Sequence, residues 1–539
     1  MPLIIATSLS LGIWIGSAFF GGIKPGDSII YDKLHTIMTY IDDQYVDEIS
    51  TDSLIEKALP DILAQLDPHT AYIPASDLQA MNDELDGSFS GIGITFNMLT
   101  DTITVLEVIS GGPSEKVGIM AGDRIIAIDD SLVAGQKWSQ ERVIRSLRGP
   151  KDSIVNLSIK RNSAAEPIQF TVTRGDIPVT SIDACYMLDE STGFLKINKF
   201  GKNTFDEFLN SMVLLQSNGA SNLILDLRGN GGGYMEPAIL MANQFLSRGD
   251  LIVSTRGRKS SMNSDTQADG TGSFKNIQLA VLLDEYSASA SEIFAGAIQD
   301  NDRGLIIGRR SFGKGLVQQQ IDLPDQSAMR LTVARYYTPS GRCIQKSYTP
   351  GNTINYMNEI ADRYSHGEGF SADSMHIDKS QIYHTTSGRK VYGGGGIIPD
   401  VYVPGDTTGL SNYYIDIFNA GLLQKFAFRY TDSNRARLEE SSNVQELLKN
   451  MPSDESLLQE FVRYAKTEAG IPPRWYYINI SRNLIVSQLK ALIARDVLGT
   501  SAYYEVINSS DTPVRRAFEE LQLGNATAPI KDKPTESEL

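Results

Sequence analysis

The spacing of apolar residues changes character several times along the chain. Between residues 27 and 85 it is helical: Leu34, Ile37, Met38 and Ile41 share one face, and Leu54, Ala58, Ile62 and Leu66 another. The run Leu66-Asp67-Pro68-His69-Thr70 breaks that pattern and predicts a turn, with His69 as a turn or capping residue. From about 86 to 175, short apolar runs alternate with glycine turns. Ile92-Gly93-Ile94-Thr95-Phe96 and Ile103-Thr104-Val105-Leu106 predict strands, and 121–129 a turn feeding a strand. Residues 139–147 predict a short helix with Val143, Ile144 and Leu147 on one side, and 155–160 and 168–173 close a small β-rich module.

Between about 176 and 405, continuous apolar runs alternate with helical patterns. Leu223-Ile224-Leu225-Asp226-Leu227 ends in Arg228-Gly229-Asn230-Gly231-Gly232-Gly233, and a helix is expected over 237–246. Residues 279–283 give a second buried strand leading into a helix over 291–299, and 305–307 a third strand. Met329, Leu331 and Val333 alternate as in a half-buried strand. This order predicts a layered α/β core. Residues 351–390 are polar and turn-rich and read as a surface insertion; Ile397 to Val401 return to the core. Residues 410–520 read as helical, and 524–539 as a disordered tail. The fold class expected is therefore α/β and multi-domain. Its parts are a helical region over 27–85, a β-rich module over 86–175, the core over 176–405 and a helical extension over 406–539.

The N-terminus stands apart. Residues 3–23 carry no charge and are long enough, at about 20 residues, to cross a bilayer as a helix. The first basic residue, Lys24, follows the run, and Gly16-Ser17-Ala18 is a weak cleavage site. Segment 1–26 is thus read as an uncleaved transmembrane anchor in preference to a signal peptide. With nothing basic ahead of it, charge does not set the orientation; either way the bulk of the chain is expected outside the cytoplasm.

Composition narrows the chemistry. With 49 Lys and Arg against 65 Asp and Glu, the net charge is −16, which argues against nucleic acid as a main partner. The two cysteines form no CxxC pair, and the five histidines show no HExxH spacing, so no metal site is expected. The glycines at 229–233 lack the GxGxxG spacing, because Tyr234 holds the last position, and no P-loop lysine follows. No nucleotide cofactor is expected. Such a loop after a strand either presents N–H groups to an oxyanion or is a tight turn and nothing more.

The candidate chemistry lies in Ser287-Ala288-Ser289-Ala290-Ser291-Glu292 and in Ser311-Phe312-Gly313-Lys314-Gly315. A serine hydroxyl needs a base, and a lysine kept neutral by burial can serve. Ser289 precedes a predicted helix, whose free N–H groups suit an oxyanion. The plain alternatives are that Ser289-x-x-Glu292 is a capping box and that Lys314 is a solvated loop lysine.

Taken together, these segments resemble the C-terminal processing (tail-specific) proteases, a serine–lysine family with a PDZ module ahead of the catalytic core. The resemblance runs from about Leu34 to Val403. Besides the motifs quoted, it rests on Ser90-Gly91-Ile92-Gly93-Ile94, on Gln318 after Phe312-Gly313-Lys314-Gly315, and on Tyr337-Thr338-Pro339-Ser340-Gly341-Arg342. It implies Ser289 as nucleophile, Lys314 as base and Gln318 as the residue that positions the lysine. The implied oxyanion donors are the N–H groups of Gly233 (or its neighbour Gly232) and Ala290. Gly231 departs mildly from the family, which often has Pro there. The 86–175 module would be the PDZ domain, holding a peptide at Gly91, Ile92, Gly93 and Ile94, with the 139–147 helix as the other wall. The resemblance further implies an envelope protease anchored in the inner membrane through 3–23. Its catalytic part would lie on the periplasmic or extracytoplasmic side, cutting proteins with apolar C-terminal tails. An adaptor or a homo-oligomer is left open, and 406–539 lies outside the shared pattern. The rival expectations are a catalytically dead PDZ scaffold and an acyl-CoA-handling enzyme.

Overall fold

The computed structural model describes residues 27–98, 101–109, 111–161 and 164–525. The apolar run 3–23, and with it the anchor read from the sequence, lies outside the described residues, as does the tail 526–539. Among the described residues no helix is long and apolar enough to cross a membrane.

The chain enters through α1 (Asp27–Gln44) and α2 (Thr51–Ala64). Ser50 starts α2 by accepting the Ser53 N–H on its hydroxyl. Strand β1 (Ala71–Ile73) and helix α3 (Ala75–Asp86) follow. Helix α3 stops at Gly87, where φ is 79° and a side chain would be strained. β2 (Ser88–Gly91) pairs antiparallel with β8 (Gly175–Pro178), and this ribbon brackets the β-rich module. Inside it, β3 (Ile94–Asn97), β4 (Ile103–Val108), β5 (Arg124–Ile128), β6 (Ile154–Lys160) and β7 (Ile168–Thr173) form an antiparallel sheet with β3 at one edge. Alternation decides burial: Val155, Leu157 and Ile159 face inward and pack with Ile103, Ile125 and Val143, the last from α4 (Gln140–Leu147).

The α/β core is built on six strands in the order β9 (Ile182–Met187), β10 (Thr192–Ile197), β11 (Asn222–Asp226), β14 (Gln278–Leu283), β15 (Leu305–Gly308) and β18 (Val401–Tyr402). All but β9 run parallel. β11 is buried at every position, as a parallel strand covered on both faces requires. One face is covered by α5 (Thr204–Ser217), α6 (Met235–Phe245) and α7 (Ala290–Asp300), through Phe208, Met241, Phe245 and Phe294. A second, antiparallel sheet holds the hairpin β16 (Leu316–Asp322) and β17 (Ala328–Tyr337). There β12 (Leu251–Gly257) and β1 also pair with β17, and β13 (Ser264–Gln267) pairs with β12.

The segment 351–390 is mostly exposed, as read, but it holds a helix that docks on the core. Helix α8 (Thr353–Ser365) buries Tyr356 and Arg363, and the polar residues around it satisfy one another. Glu359 pairs with Lys346 and Arg363, and Glu368 with Arg310. These pairs fasten the segment to the core, while most of its other polar residues face solvent.

Residues 412–498 form a helical unit with its own core around Phe426, Phe461, Ile485 and Leu489. Its helices are α9 (Asn412–Asn419), α10 (Leu422–Leu438), α11 (Val444–Asn450), α12 (Asp454–Ala469) and α13 (Trp475–Leu498). After α14 (Thr500–Ile507), α15 (Thr512–Gln522) returns to the six-stranded sheet. There Val514, Ala517 and Leu521 cover the second face against Ile224, Ala280, Leu282 and Ile307.

Candidate active site

Ser289 stands where β14 hands over to α7, and the serines on either side fix the turn. The hydroxyl of Ser287 donates to the Leu227 carbonyl and that of Ser291 to the Asn230 carbonyl, both at 2.9 Å. The Ala288 N–H also donates to the Asn230 carbonyl, at 3.0 Å. These bonds press the turn onto the glycine loop. A Cβ on Gly232 would lie 2.7 Å from the Ser289 Cβ, and one on Gly233 2.2 Å from the Phe200 carbonyl oxygen, so both positions require glycine.

Ser289 has φ 57° and ψ −113°, a conformation that costs a non-glycine residue roughly 1–3 kcal/mol. The sequence pattern of a capping box is present, but its bonds are not those of a simple cap. The Glu292 carboxylate accepts the Ser289 N–H at 2.8 Å, while the Glu292 N–H goes to the Ser289 carbonyl at 2.9 Å. The Ser289 hydroxyl sits in the capping-box arrangement toward the Glu292 N–H but makes no side-chain cap hydrogen bond. The Gly232 N–H donates to Asn230 Oδ1 at 2.8 Å. Those of Gly233 and Ala290 have no acceptor among the described residues.

Lys314 Nζ donates to Gln318 Oε1 at 2.9 Å, and Gln318 Nε2 donates to the His69 carbonyl. That carbonyl is set in turn by Asp67, which accepts the N–H groups of His69 and Thr70 at 2.9 Å and the Thr332 hydroxyl at 3.1 Å. The turn 66–70 thus docks on β17 and anchors a relay from His69 through Gln318 to Lys314. The His69 ring stays outside the relay: it bonds the Tyr356 hydroxyl at 2.8 Å. Burial, with the Lys314 charge beside it, pushes this imidazole down to about 4. Burial also holds the Lys314 amine below the ordinary lysine value, and the Arg330 charge adds to the effect.

Glu292 joins the two halves of the site. Fully buried, it accepts the Ser289 N–H, the Gly313 N–H at 2.7 Å, the Lys314 N–H at 2.9 Å and the Ser311 hydroxyl at 2.5 Å. Burial pushes its carboxyl up to about 7 against the pull of these donors. The Tyr336 hydroxyl adds a second clamp, donating to the Lys314 carbonyl at 2.6 Å and lying 3.2 Å from that of Ser289. Arg363 of α8 holds the carbonyls of Ser311 and Phe312 at 2.8 and 3.1 Å.

Ser289, Lys314, Gln318, Gly232, Gly233 and Ala290 line one cavity of about 760 Å³. The serine and the lysine share it without a hydrogen bond to each other, the amine being turned to Gln318. The second set of expected residues is elsewhere and lines no part of that cavity. Gly91 ends the ribbon opposite Gly175, and Ile94 begins the edge strand β3. Between them the Ile92 and Gly93 carbonyls accept from Ser114 and Ile109 at 3.0 Å, while their own N–H groups have no acceptor among the described residues.

Residues 191–353 match peptidase family S41, residues 90–182 a PDZ domain, and residues 413–499 a family of unknown function. A carboxy-terminal-processing protease of Bartonella bacilliformis is 38% identical over 308 residues, covering 56% of this chain and 69% of that protein. A probable CtpA-like serine protease of Staphylococcus epidermidis is 30% identical over 344 residues, covering 62% and 69%. The solved photosystem II D1 C-terminal processing protease is 27% identical and covers 68% of this chain and 91% of its own, at a TM-score of 0.34. The chain belongs to peptidase family S41, the carboxy-terminal-processing proteases. It is a serine peptidase with a PDZ domain, a protease core and a helical C-terminal region.

Proposed function

We propose that the protein is an endopeptidase that cuts other proteins near their C-termini through a dyad of Ser289 and Lys314. The observation that carries this reading is the shared cavity, in which a strained serine faces a desolvated lysine held by Gln318. Neutral Lys314 Nζ takes the Ser289 proton, and Oγ attacks the scissile carbonyl carbon. The resulting oxyanion accepts the Gly233 and Ala290 N–H groups. The lysine, now charged, returns the proton to the departing amine as the C–N bond breaks, leaving an acyl-enzyme on Ser289. Water then attacks the acyl carbon as it loses a proton to Lys314, which returns that proton to Ser289 Oγ as the acyl C–O bond breaks, and the acid product leaves. No metal or nucleotide enters any step.

The PDZ module would select substrates by adding an apolar C-terminal tail to the edge strand β3, its carboxylate on the N–H groups of Ile92 and Gly93. The uncharged run 3–23 supports a membrane anchor. The test is turnover of an unstructured protein with an apolar tail, with the products sized by mass spectrometry. Wild type should cut near the tail, and Ser289→Ala should bind the substrate without cutting it. Cleavage by purified Ser289→Ala at the wild-type rate contradicts the reading.

A further inference from the structure

The charges in the catalytic cavity run against the sign of the molecule. The chain carries −16, yet among the described residues the cavity is lined by Lys199, Lys314 and Arg330 and by one carboxylate, Asp86. Asp86 already accepts the Tyr234 hydroxyl at 3.0 Å. Arg330 is the cation without an evident purpose. It is half-buried and permanently charged, and among the described residues its guanidinium has neither an ion pair nor a hydrogen bond. Arg228, Arg309, Arg310, Arg342 and Arg389 around this core each hold a carboxylate, and Arg303 holds three backbone carbonyls. An arginine left unpaired beside the lysine repels that lysine's own charge and is costly to bury without a partner. The unpaired Arg330 guanidinium lines the cavity and is open to an anion there.

The register of the hairpin says where. Gln318 lies opposite Thr332, and Gln320 opposite Arg330. Alternate residues of a strand share a face, so Arg330 sits on the cavity side one repeat, about 7 Å, past the pair that holds the lysine. Lys314, Gln318, Gln320 and Arg330 line the same cavity, and a leaving segment laid along this hairpin keeps its departing amine beside Lys314. Two extended residues span the same ~7 Å.

We propose that Arg330 receives a substrate carboxylate about two residues beyond the scissile bond on the leaving-group side. The carboxylate is either the free C-terminus of a short leaving fragment or an Asp or Glu side chain of a longer one. The guanidinium fork matches a carboxylate in both cases. This assignment rests on Ser289 and Lys314 being the reacting pair.

Two peptide pairs separate the sources and keep the PDZ groove out of the comparison. In the first, the peptide ends two residues past the cut, as the acid or the amide. In the second, a longer peptide with an amidated C-terminus carries Glu or Gln at the second position past the cut. Mass spectrometry fixes the cut, and kcat/KM is measured for wild type, Arg330→Gln and Arg330→Glu. The wild type should favour the carboxylate member of at least one pair by roughly tenfold, the scale of one charge-assisted hydrogen bond. Arg330→Gln should bring that ratio to near one, and Arg330→Glu should invert it. Because each ratio is taken within one preparation, partial misfolding cancels. A wild-type ratio near one in both pairs, or a ratio unchanged in Arg330→Gln, overturns the proposal. Affinities of the same peptides for Ser289→Ala, with and without Arg330→Gln, read the carboxylate contact without chemistry. If Ser289 proves not to be the nucleophile, that shows separately as cleavage by Ser289→Ala.

Discussion

At the scale of single residues, the site is held together by groups that do not themselves react. Ser289 carries backbone strain, and the strain is testable because only its own φ and ψ are at issue. Ser289→Gly and Ser289→Ala should both be inactive, but the glycine variant should be more stable than the alanine variant by about 1 kcal/mol in urea denaturation. Equal stabilities would mean the turn is unstrained. Glu292 is the clearer positioning residue. Glutamine in its place offers one acceptor and an NH₂ group to four donors, so Glu292→Gln should lower kcat by roughly 10²-fold while leaving KM close to wild type. A loss confined to KM would place Glu292 in substrate binding instead. The sequence singled out the serine, lysine and glutamine through motifs of specific spacing, and the structure brings the three to one cavity. Glu292 was visible only as a helix-capping partner, and its contacts to the lysine loop depend on a fold that brings residue 292 to residues 311–314. The work of the His69 carbonyl left no trace, since any residue has a carbonyl.

At the scale of elements, the alternation of apolar runs and helical patterns marked the core strands and the helices that follow them. Every position of β11 is apolar or satisfied, and its place in the sheet followed from that. The turn 66–70 was legible as a turn but not as a brace. Its contact with β17 is made by Asp67 to Thr332, far apart in sequence. Asp67→Ala should release the His69 carbonyl, loosen Gln318 and lower kcat by roughly 10²-fold. The hydrogen bonds to Asp67 outweigh its burial and hold its carboxyl below the usual value. The stability it contributes is therefore full above the unfolded carboxylate pKa and is lost as pH falls through the lowered one. If Asp67→Ala keeps full activity, Gln318 needs no brace. Helix α8 was not legible in a segment that reads as polar and turn-rich, because the ion pairs of Glu359 with Lys346 and Arg363 that dock it leave no local signal.

At the scale of the whole molecule, the C-terminal helices had no assignable task in the sequence, because nothing local shows which face of a remote sheet a helix will cover. The structure supplies one: α15 closes the second face of the parallel sheet through Val514, Ala517 and Leu521. Ahead of α15, Asp511 accepts two bonds from Arg228 at 3.0 and 3.1 Å, tying it to the strand end that opens the glycine loop. Leu521→Ala should cost roughly 2–5 kcal/mol and unfold the protease core with the helix in one transition. A change under about 0.5 kcal/mol would make α15 an ornament of the fold. The same region touches the PDZ module, where Arg124 pairs with Asp432 at 2.7 Å.

The account turns on Lys314 being uncharged when it acts. Its proton is bound less readily in the folded chain than in solution, so activity should rise with pH along a limb centred below the ordinary lysine value of 10.5. Arg330 contributes to that depression, and Arg330→Gln should move the limb to higher pH. The direct measurement is kcat/KM against pH on a tailed peptide for wild type and Lys314→Ala. The prediction is a lysine-controlled limb in wild type and a loss of roughly 10²–10⁴-fold in the variant, with no such limb remaining. Turnover by Lys314→Ala within tenfold of wild type, with the same pH dependence, would contradict it.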